Sequence, residues 1–350
     1  MTPLRPGSDD DEVRDDTEES ARVGPAGPGH VTTTSVQVGE LSLCVEVLGP
    51  PAGRPLLLVH GLGAQLVDWP DELVDGLVAA GFRVVRFDNR DAGLSTHLDA
   101  LGMPDLVRDA GHPDRAPYLL ADLADDAAGL LGALGFGRAH VVGVSMGGMI
   151  AQELAIRHPD ALSSLCSIMS TTGDPAVGQP SAEALAVLLR AAPAGRDEAI
   201  EQSIAGNLVT GSPGFPFDEA AARAKAAARY DRSHDTAGVA RQLAAIVASP
   251  DRTPALRGLK LPVLVVHGEA DPLVAVSGGR ATAAAVPGAE IVTFPGMGHD
   301  LPAALIPEIV TRITRLADRA DRVDGSSETG APGRPGDEGR AGDGEDDNED

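Results

Sequence analysis

A run of valines that ends in a serine and turns at once into a helix is the most constraining feature of this chain. It lies in "HVVGVSMGGMIAQEL", His140 to Leu154. Val141, Val142 and Val144 favour a buried extended strand, because β-branched side chains pack well on a pleated surface. Ala151, Gln152, Glu153 and Leu154 are good helix formers. Gly143, Gly147 and Gly148 bracket the change, where a sharp strand-to-helix turn brings backbones together. A serine on such a turn projects its oxygen above a sheet edge. That geometry suits a nucleophile, and the rest of the chain then has to hold a base, an acid and oxyanion donors.

The same alternation runs through the chain. "VTTTSVQV" and "LSLCVEVLG" read as an opening hairpin through Gly39 and Glu40. "RPLLLVHG", "RVVRFDNR", "AHVVGVS" and "LSSLCSIMS" follow as strands, and "LPVLVVHG" and "AEIVTFPG" come late. Between them "WPDELVDGLVAAGF", "LLADLADDAAGLLGALGF", "MIAQELAIRHP" and "GGRATAAAVPG" carry helical signals, and "ALIPEIVTRITRLADR" closes the series. Continuously apolar strands alternating with helices predict an α/β fold with a mainly parallel sheet flanked by helices on both faces. From Thr172 to Gly258 the rhythm breaks into four helical segments with no valine-rich strand. The division predicted is a core in two pieces, 31–171 and 259–320, with a helical lid at 172–258. Inside the lid, "TGSPGFPFD" must be a loop. Phe215 and Phe217 within it either anchor the lid or line an acyl or ring pocket.

With 350 residues, 43% of them hydrophobic, the chain can bury a large core and a smaller subdomain. Its formal charge of −24 opposes association with nucleic acid or anionic membrane. Residues 1–30 and 321–350 together carry −13 of that charge and almost nothing apolar, so both ends are predicted to be disordered acidic tails. No secretory signal pattern opens the chain and no apolar run is long enough to span a bilayer. Cys44 and Cys166, the only cysteines, lie in strand-like runs and are expected as buried free thiols, which places the protein in the cytoplasm.

Asp271 follows "VLVVHGEA" and His299 follows "IVTFPGMG". Loops at the carboxyl ends of parallel strands converge on one edge, so Ser145, Asp271 and His299 are expected to meet there as nucleophile, acid and base. The Met146 backbone N–H, at a helix start, is one candidate oxyanion donor, and Leu62, just after "VHG", is the second. His60 beside that loop is read as fixing its backbone. Asp88, Arg90 and Asp91 are read as loop-organising ion pairs ahead of a substrate role. Met146, Met149, Met169 and Met297 flank the catalytic motifs and offer an adaptable apolar surface. No counter-charge for a charged acyl group is evident. His60, His267 and His299 have no zinc spacing, "GLGAQL" is no phosphate loop, and no dinucleotide fingerprint follows a strand, so no metal or cofactor is expected.

"HGLG" after an early strand, "GVSMGG" at the turn, "GEADP" in the acid loop and "GMGH" in the histidine loop come in that order. By these motifs the chain resembles the α/β-hydrolase superfamily over roughly residues 31–320. The resemblance implies Ser145, Asp271 and His299 as triad and Leu62 and Met146 as oxyanion residues. A serine at 145 sets the chain apart from the branches with a carboxylate nucleophile. "FDNRDAGLST" and "GSPGFPFDEA" are similar to stretches of aclacinomycin methylesterase-like hydrolases, which implies an esterase. The expected partner is a small to medium, apolar ester substrate. Amide or C–C bond hydrolysis, cofactor-free haloperoxidase or perhydrolase chemistry, and a non-catalytic binding module are the competing readings; oligomeric state is left open.

Overall fold

The computed structural model describes residues 33–328, with an eight-stranded sheet at their centre. The hairpin is β1 (Thr33–Val38) and β2 (Leu41–Leu48), turned through Gly39 at φ 58°. Then come β3 (Arg54–Val59), α1 (Asp71–Ala79) and β4 (Phe82–Phe87). A long connection bearing the one-turn α2 (Leu106–Asp109) leads to α3 (Leu120–Ala133). The central unit is β5 (Ala139–Val144), α4 (Met146–Arg157) and β6 (Leu162–Ile168). Four lid helices follow: α5 (Ala182–Leu188), α6 (Arg196–Thr210), α7 (Glu219–Arg232) and α8 (Thr236–Ala248). The chain returns through α9 (Thr253–Leu256) to β7 (Val263–Gly268), α10 (Val276–Ala285), β8 (Glu290–Phe294) and α11 (Ile306–Glu328).

Strand order is β1-β2-β4-β3-β5-β6-β7-β8, and β2 alone runs against the rest. From β3 the chain steps one way to β4, then crosses back to β5 on the other side of β3. Such a reversal opens a crevice at the carboxyl ends of β3 and β5. Every residue of β5 is buried, which is why apolar residues and glycine fill all of its positions but His140 instead of alternating with polar ones.

Alternation survives in where the side chains go. Leu57, Val59, Val141, Leu165 and Val265 join α3 and α4 on one face. Leu56, Leu58, Val142, Cys166 and Val266 join α1 and α11 on the other. The period-2 geometry of a strand thus feeds two separate cores from one sheet. Both Cys44 and Cys166 are buried free thiols.

The structure differs from the sequence boundaries in two places. α9 seats Leu256 in the core beside α4, because it feeds straight into β7. The last helix continues past 320 to Glu328, with Asp318 and Asp321 both paired to Arg54. The acidic stretches 1–30 and 329–350 lie outside the described residues. No helix among the described residues is long and apolar enough to cross a membrane.

Candidate active site

Ser145 stands between β5 and α4 with φ 57° and ψ −122°, a conformation L-residues avoid. Its surroundings enforce it. The Ser145 N–H donates to Ile168 O at 2.9 Å, and its carbonyl accepts from Gly148 N–H at 2.9 Å and Ser170 Oγ at 2.8 Å. The flanking glycines are required by contact, since a Cβ on Gly143 would lie 2.2 Å from Gly147 O and one on Gly147 2.0 Å from Val59 O.

The three residues expected to meet do meet. His299 Nε2 is 3.0 Å from Ser145 Oγ, and His299 Nδ1 is 2.8 Å from Asp271 Oδ2. The Asp271 side chain is fully buried, and its Oδ1 accepts the Leu273 and Val274 N–H groups, each at 2.9 Å. A carboxylate oxygen accepts, so the His299 tautomer that donates from Nδ1 to Asp271 leaves Nε2 as an acceptor facing the serine hydroxyl. The sequence offers His267 no role beyond that of a zinc ligand, for which the spacing is wrong. The structure places it behind the acid loop, with Nε2 donating to Val274 O at 2.8 Å. Burial pushes its pKa down, so it braces the loop as a neutral ring.

The loop after β3 passes directly over Ser145, where a Cβ on Gly61 would sit 3.1 Å from the serine Cβ. Gly61 N–H donates to His60 Nδ1 at 2.8 Å, and Gly63 N–H to Gln242 Oε1 of α8 at 2.8 Å. Gln242 Nε2 in turn donates to Arg90 O at 2.7 Å. Leu62 lies between these two tethered residues, and Met146 opens α4, where helix geometry gives its N–H no partner. Gln242 was missed in the sequence; its signal was a polar pair, Arg241-Gln242, inside the apolar run "GVARQLAAIVA".

The His60 ring packs on Trp69 at 4.6 Å, and burial lowers its pKa from 6.5 to about 4. The folded protein keeps it neutral where the unfolded chain takes up a proton, so stability falls as pH drops from 6.5 towards 4. Melting temperatures across that window should fall more steeply for wild type than for His60→Gln. Parallel curves would show that His60 does not carry this linkage.

Asp88, Arg90 and Asp91 do not pair with one another, and none lines the cavity described below. Asp88 holds Arg232 of α7 at 2.8 Å and the Leu66 N–H at 2.6 Å. Arg90 makes a two-pronged pair with Asp126 of α3 at 2.6 and 2.7 Å. Asp91 does the same with Arg241 of α8 at 2.7 and 2.9 Å. All three therefore tie helices to the sheet end. Ligand atoms of Asp91, His97 and Asp235 lie within 4.8 Å of one another, but the Arg241 guanidinium reaches both aspartates and already supplies the cationic charge there.

Ser145 and His299 open into a cavity of about 1530 Å³ between the sheet end and the lid. Its wall is largely apolar: Leu62, Met149, Met169, Leu185, Phe215, Phe217, Leu243 and Ile246 contribute. Both lid phenylalanines thus face it, Phe215 also packing on the core cluster beneath α1 and α11. Met146 and Met297 are instead fully buried in the two cores. The expectation of a wall without counter-charge is corrected, because Lys225 and Arg229 of α7 line it too. Asp68 faces both, its carbonyl accepting from Lys225 Nζ at 2.6 Å and its carboxylate lying 3.9 Å from Arg229.

A helix-flanked sheet, a strained serine at the crevice and a histidine–carboxylate pair beside it define a class. The chain belongs to the α/β-hydrolase fold family, whose model matches residues 54–302. It is 33% identical to rhodomycin D methylesterase DauP of Streptomyces sp. (strain C5), over 78% of this chain and 94% of that protein. It is 32% identical to rhodomycin D methylesterase DnrP of Streptomyces peucetius, with the same coverage of 78% and 94%. Among solved structures, the esterase RhEst1 from Rhodococcus sp. ECU1013 superposes with TM-score 0.62 at 26% identity, covering 82% of this chain and 99% of that one. The chain is an enzyme, a hydrolase of carboxylic esters that works through an acyl-enzyme.

Proposed function

We propose that Ser145 is the nucleophile and His299 the general base and acid, and that the substrate is the methyl ester of a medium-sized, mainly apolar, ring-bearing acid. The observation that carries this reading is the Ser145–His299–Asp271 chain of hydrogen bonds opening into a largely apolar cavity of about 1530 Å³. Ligand pockets ordinarily run to about 300–1,000 Å³, so there is room for more than an acetyl or butyryl group. The methyl ester itself is suggested by the two rhodomycin D methylesterases.

Ser145 Oγ attacks the carbonyl carbon while His299 Nε2 takes the hydroxyl proton. Asp271 holds the ring in its tautomer and stabilises the imidazolium. Negative charge on the tetrahedral oxygen is met by the Leu62 and Met146 N–H groups, which the tethered loop and the helix start hold ready before reaction. His299 returns the proton to the departing methanol, and water repeats the sequence to release the acid.

Purified protein should be assayed on p-nitrophenyl esters, methyl esters of polycyclic aromatic acids, matched anilides, and peroxide-dependent halogenation. Methyl esters of ring-bearing acids should be turned over well ahead of the amides. Amide turnover above ester turnover, or activity only with peroxide, would reverse the reading.

A further inference from the structure

The loop that carries His299 is held largely by the lid. His299 N–H donates to Thr210 O, the last residue of α6, at 2.7 Å. Gly298 N–H donates to Ser212 Oγ at 2.8 Å, and the Ser212 hydroxyl donates its own proton to Asp300 Oδ1. Gly214 N–H donates to Gly296 O at 2.9 Å. The two segments meet backbone to backbone, since a Cβ on Gly298 would lie 2.1 Å from Gly211 O and one on Gly214 2.8 Å from the Gly296 Cα. Backbone bonds from the sheet end reach this loop earlier, where Met297 N–H donates to Phe294 O at 3.3 Å and Met297 O accepts from Ala270 N–H at 3.0 Å. At His299 it is the ring that the acid loop holds, Nδ1 lying 2.8 Å from Asp271 Oδ2. The Gly298 and His299 backbone donors go to residues 210 and 212.

We propose that Ser212 is a positioning residue for the reaction: it couples the seating of the lid to the alignment of His299. The proposal rests on His299 being the base. Ser212 Oγ has one proton to give and accepts one, and both are engaged on either side of His299, at Gly298 and Asp300. Its hydroxyl thereby brackets the catalytic residue in sequence and in space. Pro213 restricts residue 212 to extended backbone, so the side chain is presented from a pre-set conformation. Undocking of residues 210–214 would free the His299 backbone together with the lid. The enzyme would then be competent only with its cavity roofed.

The proposal separates from a purely structural role by comparing Ser212→Ala, Ser212→Thr and Asp300→Ala with wild type. For each, kcat and KM on one neutral ester are measured alongside the rate at which a small fluorophosphonate labels Ser145. The label needs the His299-activated serine but little of the cavity. Misplacing a reacting group by an ångström costs up to about 100-fold, so Ser212→Ala should lower kcat and the labelling rate together by about tenfold or more. KM should stay within about twofold, since Ser212→Ala removes a single oxygen from a large and mainly apolar cavity wall. Ser212→Thr, which keeps the hydroxyl, should recover most of the loss. Adding Asp300→Ala to Ser212→Ala should cost little more, because the pair acts as one unit. A Ser212→Ala enzyme that labels at the wild-type rate, a loss confined to KM, or a threonine as poor as alanine would overturn the proposal. Absence of labelling in folded wild type would instead overturn the reading of Ser145 and His299, and this inference with it.

Discussion

Ser145→Ala should lose ester turnover by about 10⁶ in kcat, the scale on which dismantled serine triads fail. The substitution removes one oxygen from a backbone that is already committed. The turn at φ 57° is held by the Ser145 N–H and carbonyl, bonded to Ile168, Gly148 and Ser170, and none of those bonds uses the side chain. Among the described residues the Oγ bonds only to His299 Nε2, at 3.0 Å. Alanine therefore inherits the same strain and the same partners, and the melting temperature should stay near that of wild type. His299→Ala should cost a similar factor, and the double variant little more than either single one, because proton removal and attack are one event. Wild-type-like turnover in folded Ser145→Ala would remove the nucleophile assignment. Equal and additive losses at the two positions would show that they do not work as a unit.

Much of this site was legible because it hangs on strand ends. "HVVGVS", "VLVVHGEAD" and "IVTFPGMGH" each announce a strand by their valines and isoleucines, and a parallel sheet sends all their carboxyl ends to one edge. No distance information is needed to infer that Ser145, Asp271 and His299 converge. The lid was legible only as helices. Which residues fasten it was not, because a bond such as Asp91 to Arg241 spans 150 positions and leaves no periodicity. "DNRD" looked self-sufficient, a cation between acids, yet a strand end points neighbouring side chains in different directions, and each found its partner on a different helix. The bracing of His299 by Ser212 was hidden for the same reason, since serine beside proline in a Gly-rich loop reads as turn chemistry. The cations at the cavity wall were hidden by helix phase: Lys225 and Arg229 are four apart on α7, and sequence alone does not say which side of that largely polar helix turns inward.

Asp91→Ala should be the most destabilising single substitution around the lid, costing about 3–5 kcal/mol, because it strips a buried cation of its partner. Both side chains are effectively sealed, at 0% and 1% exposure. Asp91 accepts four hydrogen bonds: two from Arg241 at 2.7 and 2.9 Å, one from Tyr118 Oη at 2.7 Å and one from Leu98 N–H at 2.7 Å. It does so from φ 64°, a left-handed conformation that aspartate tolerates better than most residues. Arg241 keeps only weaker anchors without it, Gly102 O at 3.1 Å and Asp235 at 3.4 Å among them. Arg241→Met should cost less, since the carboxylate it leaves behind still has the Tyr118 and Leu98 donors. In the double variant the two losses should fall short of their sum by about 1–3 kcal/mol, because no charge is then stranded. Thermal unfolding reads all three, with Asp91→Ala expected roughly 10 °C below wild type. Gln242 is the next residue on α8 and holds Gly63 in the loop after β3, so loosening Arg241 also loosens the loop over Ser145. Turnover in Asp91→Ala, measured well below its melting point, should therefore drop as well. A variant that melts within about 2 °C of wild type and turns over normally would show that the lid is fastened elsewhere.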